Sequence, residues 1–192
     1  MRKFSFSIIH IMFLAAMMIF HNTTFAQTNY TLATGSTLKV TGTSTLHDWE
    51  MVSSTASGKA KFTLESGKVT GAKDLVVTMP AESIKSGKNG MDKNAYSALN
   101  TKTHKEVKFV LKELVSVATG FQAVGDFTIA GVTQTAKFPV TYAVSGEKIT
   151  FKGKYDCKLS DFKIDPPTAL MGTVKTGNEV SIHFDIAFQP TK

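Results

Sequence analysis

Lys148-Ile149-Thr150-Phe151-Lys152-Gly153-Lys154-Tyr155-Asp156-Cys157-Lys158-Leu159 changes character at almost every step. Ile149, Phe151, Tyr155, Cys157 and Leu159 share one face, while Lys148, Thr150, Lys152, Lys154, Asp156 and Lys158 share the other. A period of two is the mark of a strand with one buried and one wetted side. Gly153 takes the single inward position that has no side chain. The same alternation flanks this segment. Phe138, Val140, Tyr142 and Val144 oppose Lys137, Pro139 and Thr141, and Val180, Ile182, Phe184, Ile186 and Phe188 oppose Ser181, His183 and Asp185.

Working outward, shorter apolar runs predict further strands at residues 38–41, 49–53, 58–64, 74–79, 107–114 and 122–129. Ser66-Gly67-Lys68, Ala118-Thr119-Gly120, Ala130-Gly131-Val132 and Ser145-Gly146-Glu147 lie between them as short glycine-containing turns, so a meander of neighbouring antiparallel strands is the simplest topology. One helix is expected over residues 92–101. Met91, Ala95 and Leu99 recur every four residues there, and Asp92 suits a helix N-terminus. The class is therefore all-β with one short helix. About eight strands with one apolar face each close as a barrel or pair as a sandwich, and periodicity does not choose between them. Closure removes exposed edges and leaves room for side chains or one apolar ligand.

Composition narrows the function. With 192 residues, 42% hydrophobic and 19% charged, the chain fits one folded domain rather than a disordered polymer. A lone cysteine, Cys157, excludes an internal disulfide and a thiolate metal cage. Residues 1–26 read as an export leader: Arg2 and Lys3, an apolar run over 8–20, then Thr24-Phe25-Ala26 at the cut. The run is shorter than the about 20 residues a spanning helix needs, so the expected mature domain is 27–192, beginning at Gln27 and exported to the periplasm or medium, with no stable membrane span after cleavage. Without the leader, 20 lysines face 15 acidic residues, a net charge of +5, and no arginine remains. Arginine supplies the planar fork that grips phosphate and guanine, so specific nucleic-acid binding is not expected.

Catalytic signatures are missing from the sequence. His47, His104 and His183 lack any paired metal-ligand spacing, and neither a nucleophile elbow nor a phosphate loop occurs. No metal or cofactor is expected. Adjacent His47 and Asp48 point to opposite faces of a strand and do not form a pair, and His183 with Asp185 reads as a solvated polar face. The candidate site is instead apolar. Trp49, in the distinctive run from Gly42 to Glu50, walls a ligand mouth or tucks into the core. Phe109, Phe127, Phe138, Val140, Tyr142, Phe151, Tyr155, Cys157, Leu159, Ile182 and Phe184 face the interior, which is either a ligand cavity or a filled core. Residues 160–178 lack alternation, and their Leu170 and Met171 either cover a cavity entrance or plug the end of the barrel as ordinary core.

Five segments carry a resemblance to a known family: Ser44-Thr45-Leu46-His47-Asp48-Trp49-Glu50; Met91-Asp92-Lys93 leading to Leu99 and Val107-Lys108-Phe109; residues 124–133; Leu159-Ser160-Asp161-Phe162-Lys163-Ile164; and the final strand over 179–188. In that order and spacing they resemble the YceI-like family of exported lipid- and polyisoprenoid-binding proteins. The resemblance implies a lipocalin-like, extended eight-stranded antiparallel barrel crossed by a helix, with an elongated apolar channel and no enzymatic activity. Family members often carry an arginine where this chain has Leu159 and a glycine where it has Lys163. A head group clamped by arginine is thus not expected.

The expected partner is a long isoprenoid or lipid chain, held for transport, storage or sequestration, with a polyisoprenoid, quinone, fatty acid or fatty amide as candidates. Each methylene taken from water contributes about 0.8 kcal/mol. A structural or stress-response barrel acting through a protein partner is the alternative, and an enzyme acting on lipid is the third. A homodimer is left open.

Overall fold

The computed structural model describes residues 28–191, so the leader and its cut before Gln27 lie outside the described residues. The described residues form eleven strands: β1 (Thr28–Leu32), β2 (Thr37–Ser44), β3 (Trp49–Ser53), β4 (Ser57–Glu65), β5 (Lys68–Pro80), β6 (Glu106–Val117), β7 (Gly120–Ile129), β8 (Val132–Ser145), β9 (Lys148–Lys158), β10 (Thr168–Ala169) and β11 (Val174–Pro190). One α-helix, α1 (Asn89–Ala98), and the 3-10 turns Ala81–Ser83 and Leu159–Phe162 complete the described residues.

Eight strands close a ring in the order β1, β4, β5, β6, β7, β8, β9, β11, sealed where Tyr30 and Leu32 of β1 pair with Pro190 and Phe188 of β11. All these pairings are antiparallel, so the expected barrel is present and the sandwich is not. β2 continues β1 along the same edge of β11, and β3 pairs with β2 in turn. The four short strands are therefore two long strands, each kinked once. Buried Ser36 staples the first kink: its hydroxyl donates to Ala33 O at 2.8 Å and accepts from Ala187 N at 3.1 Å. Counted this way the ring is a plain up-and-down meander.

Its two ends differ. The end carrying the turns at 66–67 and 146–147 is filled with aromatic rings. Phe62, 0% exposed, meets Tyr30 and Phe188 edge-on and stacks on Phe151 at 5.4 Å between centroids. At the other end β5 leaves β4 after the Ser57–Thr78 pair, and residues 81–105 fill the gap that opens between β3 and β6. Lys85 makes a two-way bridge with Val52 there, and Met91, Ala95 and Tyr96 of α1 pack on Met51, Met79 and Ile84.

α1 lies three residues earlier than the sequence pattern predicts. Asn100, at φ 47°, turns the chain left-handed and ends the helix before residue 101. Asp92 lies in the first turn of α1, at the N-terminal end where the sequence predicts it. Buried, it accepts from Ser86 N at 2.8 Å and Ser86 Oγ at 2.6 Å, and these bonds hold its carboxyl below the usual carboxylate range.

The stretch over 160–178 is also more ordered than its lack of alternation suggests. It holds most of a 3-10 turn, β10, and the first five residues of β11. Lys163 ends the turn at φ 56° while its N–H reaches Ser160 O at 3.0 Å. A left-handed residue with a Cβ costs about 1–2 kcal/mol, of which glycine recovers part and returns some as unfolded-chain entropy. Lys163→Gly is therefore expected to stabilise the barrel by roughly 0.5–1 kcal/mol, read as a higher urea midpoint with an unchanged slope.

Candidate functional site: an apolar cavity

Inward alternation along the strands leaves space inside the ring next to α1. A cavity of about 230 Å³ lies there, with an almost wholly apolar wall. Its lining includes ten of the fourteen residues singled out in the sequence: Trp49, Phe109, Phe127, Phe138, Val140, Phe151, Cys157, Leu159, Ile182 and Phe184. Met51, Met79, Ala95, Ala98 and Leu99 complete the wall beneath the helix. The four-residue spacing of Ala95 and Leu99 already marked the inner face of α1, but nothing local said that this face looks into the barrel.

Four singled-out residues are not in the lining. Tyr142 lies at the packed end, its ring 5.0 Å from Phe121. Tyr155 stacks on Phe127 at 5.4 Å and 5°. Leu170 and Met171 do not reach the cavity at all; both are exposed at the tip between β10 and β11.

Three glycines shape the wall, each beneath an aromatic ring. A Cβ at Gly42 would overlap Trp49, one at Gly125 would overlap Phe109, and one at Gly153 would overlap Phe184. With no side chain beneath them, the three rings lie flat against the sheet instead of standing in the interior, and a cavity remains. Trp49 is fixed further by its indole N–H, which donates to Thr43 O at 2.9 Å.

The only charged residues lining the cavity are Lys39 of β2 and Lys108 of β6. Its lining contains neither carboxylate nor histidine, and burial pushes the Cys157 thiol up to about 11, so it stays protonated at neutral pH. Leu159, where an arginine was the family expectation, adds another apolar surface. A shallower polar depression adjoins the cavity, sharing Trp49, Cys157 and Val180 with it; Asp48, Glu50, Asp156, Asp161 and Glu179 line that depression, with Lys158 the only basic side chain.

Other polar candidates resolve into local bonds. His47 Nδ1 lies 2.7 Å from Asp48 O rather than on the carboxylate. His183 and Asp185 share the outer face but not a bond: His183 Nε2 meets Thr41 Oγ1 at 3.1 Å, and Asp185 pairs with Lys152 at 2.7 Å. Burial, and then Lys39 and Lys154, hold the His183 pKa below the usual imidazole value. No group of three metal-ligating side chains occurs among the described residues, and no helix among them is long and apolar enough to cross a membrane.

The described residues thus form a closed antiparallel barrel around an apolar cavity. The YceI-like domain family model matches residues 21–188, and the chain belongs to that family. No curated protein matches the sequence. Among solved structures, BcnA of Burkholderia cenocepacia is similar with a TM-score of 0.67 at 21% identity, covering 79% of this chain and 95% of that one. A polyisoprenoid-binding domain from Saccharophagus degradans is similar at 0.61 and 14%, covering 84% and 98%. The YceI protein of Campylobacter jejuni follows at 0.59 and 18%, covering 72% and 82%. At these identities the likeness establishes the shared fold.

Proposed function

We propose that this protein is an exported, non-catalytic carrier that holds part of a long, neutral, apolar chain in the barrel. The cavity carries the reading: about 230 Å³ of space walled by aromatic and aliphatic side chains, with no charge among them except the lysines Lys39 and Lys108 of β2 and β6. The Saccharophagus degradans neighbour, described as a polyisoprenoid-binding domain, supports the same ligand class. The leader-like residues 1–26 support delivery to the periplasm or medium.

Size and charge refine the ligand. Ordinary small-molecule sites run to about 300–1,000 Å³, so this cavity takes one segment of a long chain and leaves the remainder at the mouth. Carboxylates outnumber lysine in the adjoining depression, which disfavours a pyrophosphate or fatty-acid head. A quinone, an alcohol or a fatty amide fits better. An enzymatic role finds no support in the lining, where no acid and base converge.

Trp49 is the only tryptophan and part of the wall, so its fluorescence reports occupancy directly. Titration with an isoprenoid quinone is expected to quench it saturably, with the same midpoint at low and high salt, because apolar burial is not screened. A midpoint that collapses at high salt, or quenching that never saturates, contradicts the reading.

A further inference from the structure

Two hairpin tips at the helix end carry large apolar side chains that the barrel does not cover. Leu46, between β2 and β3, is 67% exposed; between β10 and β11, Leu170 is 71% exposed and Met171 is fully exposed. The tips are laced together. Thr45 N donates to Lys175 O at 2.9 Å, and Lys175 N donates to Thr45 Oγ1 at 3.1 Å.

The backbone holds these side chains outward. Leu170 and Met171 are both left-handed, at φ 50° and 56°, and Gly172 follows at 88°. The turn is closed by Thr173, whose N and Oγ donate to Leu170 O at 3.2 and 2.6 Å. Glycine, asparagine or aspartate ordinarily takes such positions. At the base of the same hairpin, Pro167 and Thr176 are bonded at 3.1 Å and belong to the cavity lining.

We infer that the tips dock the barrel, mouth first, on the surface of a neutral lipid bilayer, with Leu46, Leu170 and Met171 entering the boundary between head groups and acyl chains. Shape and area favour lipid over protein. A specific protein interface buries about 800 Å² on each side, which three side chains on narrow convex tips do not supply, whereas a fluid interface needs no matching shape. Charge favours a neutral surface. The segments that bear the tips carry Lys158, Lys163 and Lys175 against Asp48, Asp161, Asp165 and Glu179, and anionic lipid attracts clusters of basic residues instead. This docking goes beyond the ligand assignment and holds whether or not the cavity carries a chain.

Met171→Cys and Val117→Cys, the latter on β6 at the opposite end, are each labelled with an environment-sensitive dye in a Cys157→Ala background. Phosphatidylcholine vesicles are then added, with or without bromine on the acyl chains. The label at 171 is expected to shift to the blue and be quenched by the brominated chains, while the label at 117 does neither. Replacing Leu46 and Leu170 together by serine is expected to weaken vesicle binding at least about tenfold without lowering the melting temperature, and anionic lipid is expected to strengthen it little. A water-like signal at 171 under saturating lipid overturns the docking. So does an equal response at 117, or a blue shift that appears on raising protein concentration without lipid.

Discussion

Phe62→Ala is expected to destabilise the barrel by about 3–5 kcal/mol, the range for removing a large aromatic side chain from a packed core. Phe62 has no exposed surface and touches rings from three other strands, Tyr30, Phe151 and Phe188, at centroid distances of 5.1–5.4 Å. These strands close the ring, so the hole falls where the first and last strands meet. At roughly 2–4 °C per kcal/mol for a domain of this size, the melting temperature falls by roughly 6–20 °C. Leu46→Ser, at an exposed tip, serves as the control and stays within about 0.5 kcal/mol of the parent. A Phe62→Ala variant that melts with the parent would mean that the packed end does not hold the barrel shut.

Cys157→Trp has the largest effect expected on binding. The thiol lies in the cavity wall on β9, two residues before Leu159, and an indole placed there fills the space a ligand needs. Chain uptake is expected to fall at least about tenfold, equivalent to about 1.4 kcal/mol, while overpacking costs about 1–3 kcal/mol of stability. Gly153→Leu reaches the same end by a different route, since a side chain there pushes the Phe184 ring inward. Asp185→Ala is the control. Its carboxylate lies on the outer face of β11, away from the cavity and the depression, paired with Lys152 at 2.7 Å, and exposed pairs contribute little. Equal uptake by the parent and both filled variants would place the ligand elsewhere on the molecule. Uptake is best followed with a radiolabelled chain, because the new indole obscures Trp49.

Most of the barrel was legible because its long strands alternate strictly. β9, β8 and β11 each present at least four apolar residues to one side, and their pattern survives any local irregularity. β1 was missed: only Tyr30 and Leu32 of its five residues mark an inward face, too few to stand out, and its pairing with β11 is set by residues far along the chain. β10, with two residues, carries no periodic signal. The start of β11 was read as loop because Gly177 and Asn178 sit at a shift in register against β2, which breaks the alternation.

The cavity wall was legible in parity but not in depth. Alternation places Tyr142 and Phe151 on the same inward face, yet only Phe151 reaches the cavity, since position along the barrel axis depends on where each strand meets its turn. Tyr155 shows the same limit, its ring being turned onto Phe127. Leu170 and Met171 were apolar and therefore drawn inward, whereas the left-handed turn that carries them points them to solvent. The glycines beneath Trp49, Phe109 and Phe184 are the subtler lesson. Gly153 was recognised as a missing inward side chain, but its consequence, a ring lying flat across it, appears only once β9 and β11 are paired in register.

The central claim is that the barrel interior holds a small apolar molecule. Native mass spectrometry of the protein, purified gently from cells that express it and sprayed without denaturation, tests that claim directly. A bound adduct of one small molecule per chain, released on collisional activation and absent from Cys157→Trp, is the predicted result. A bare chain that stays bare after incubation with polyprenol, isoprenoid quinone and fatty amide would contradict it.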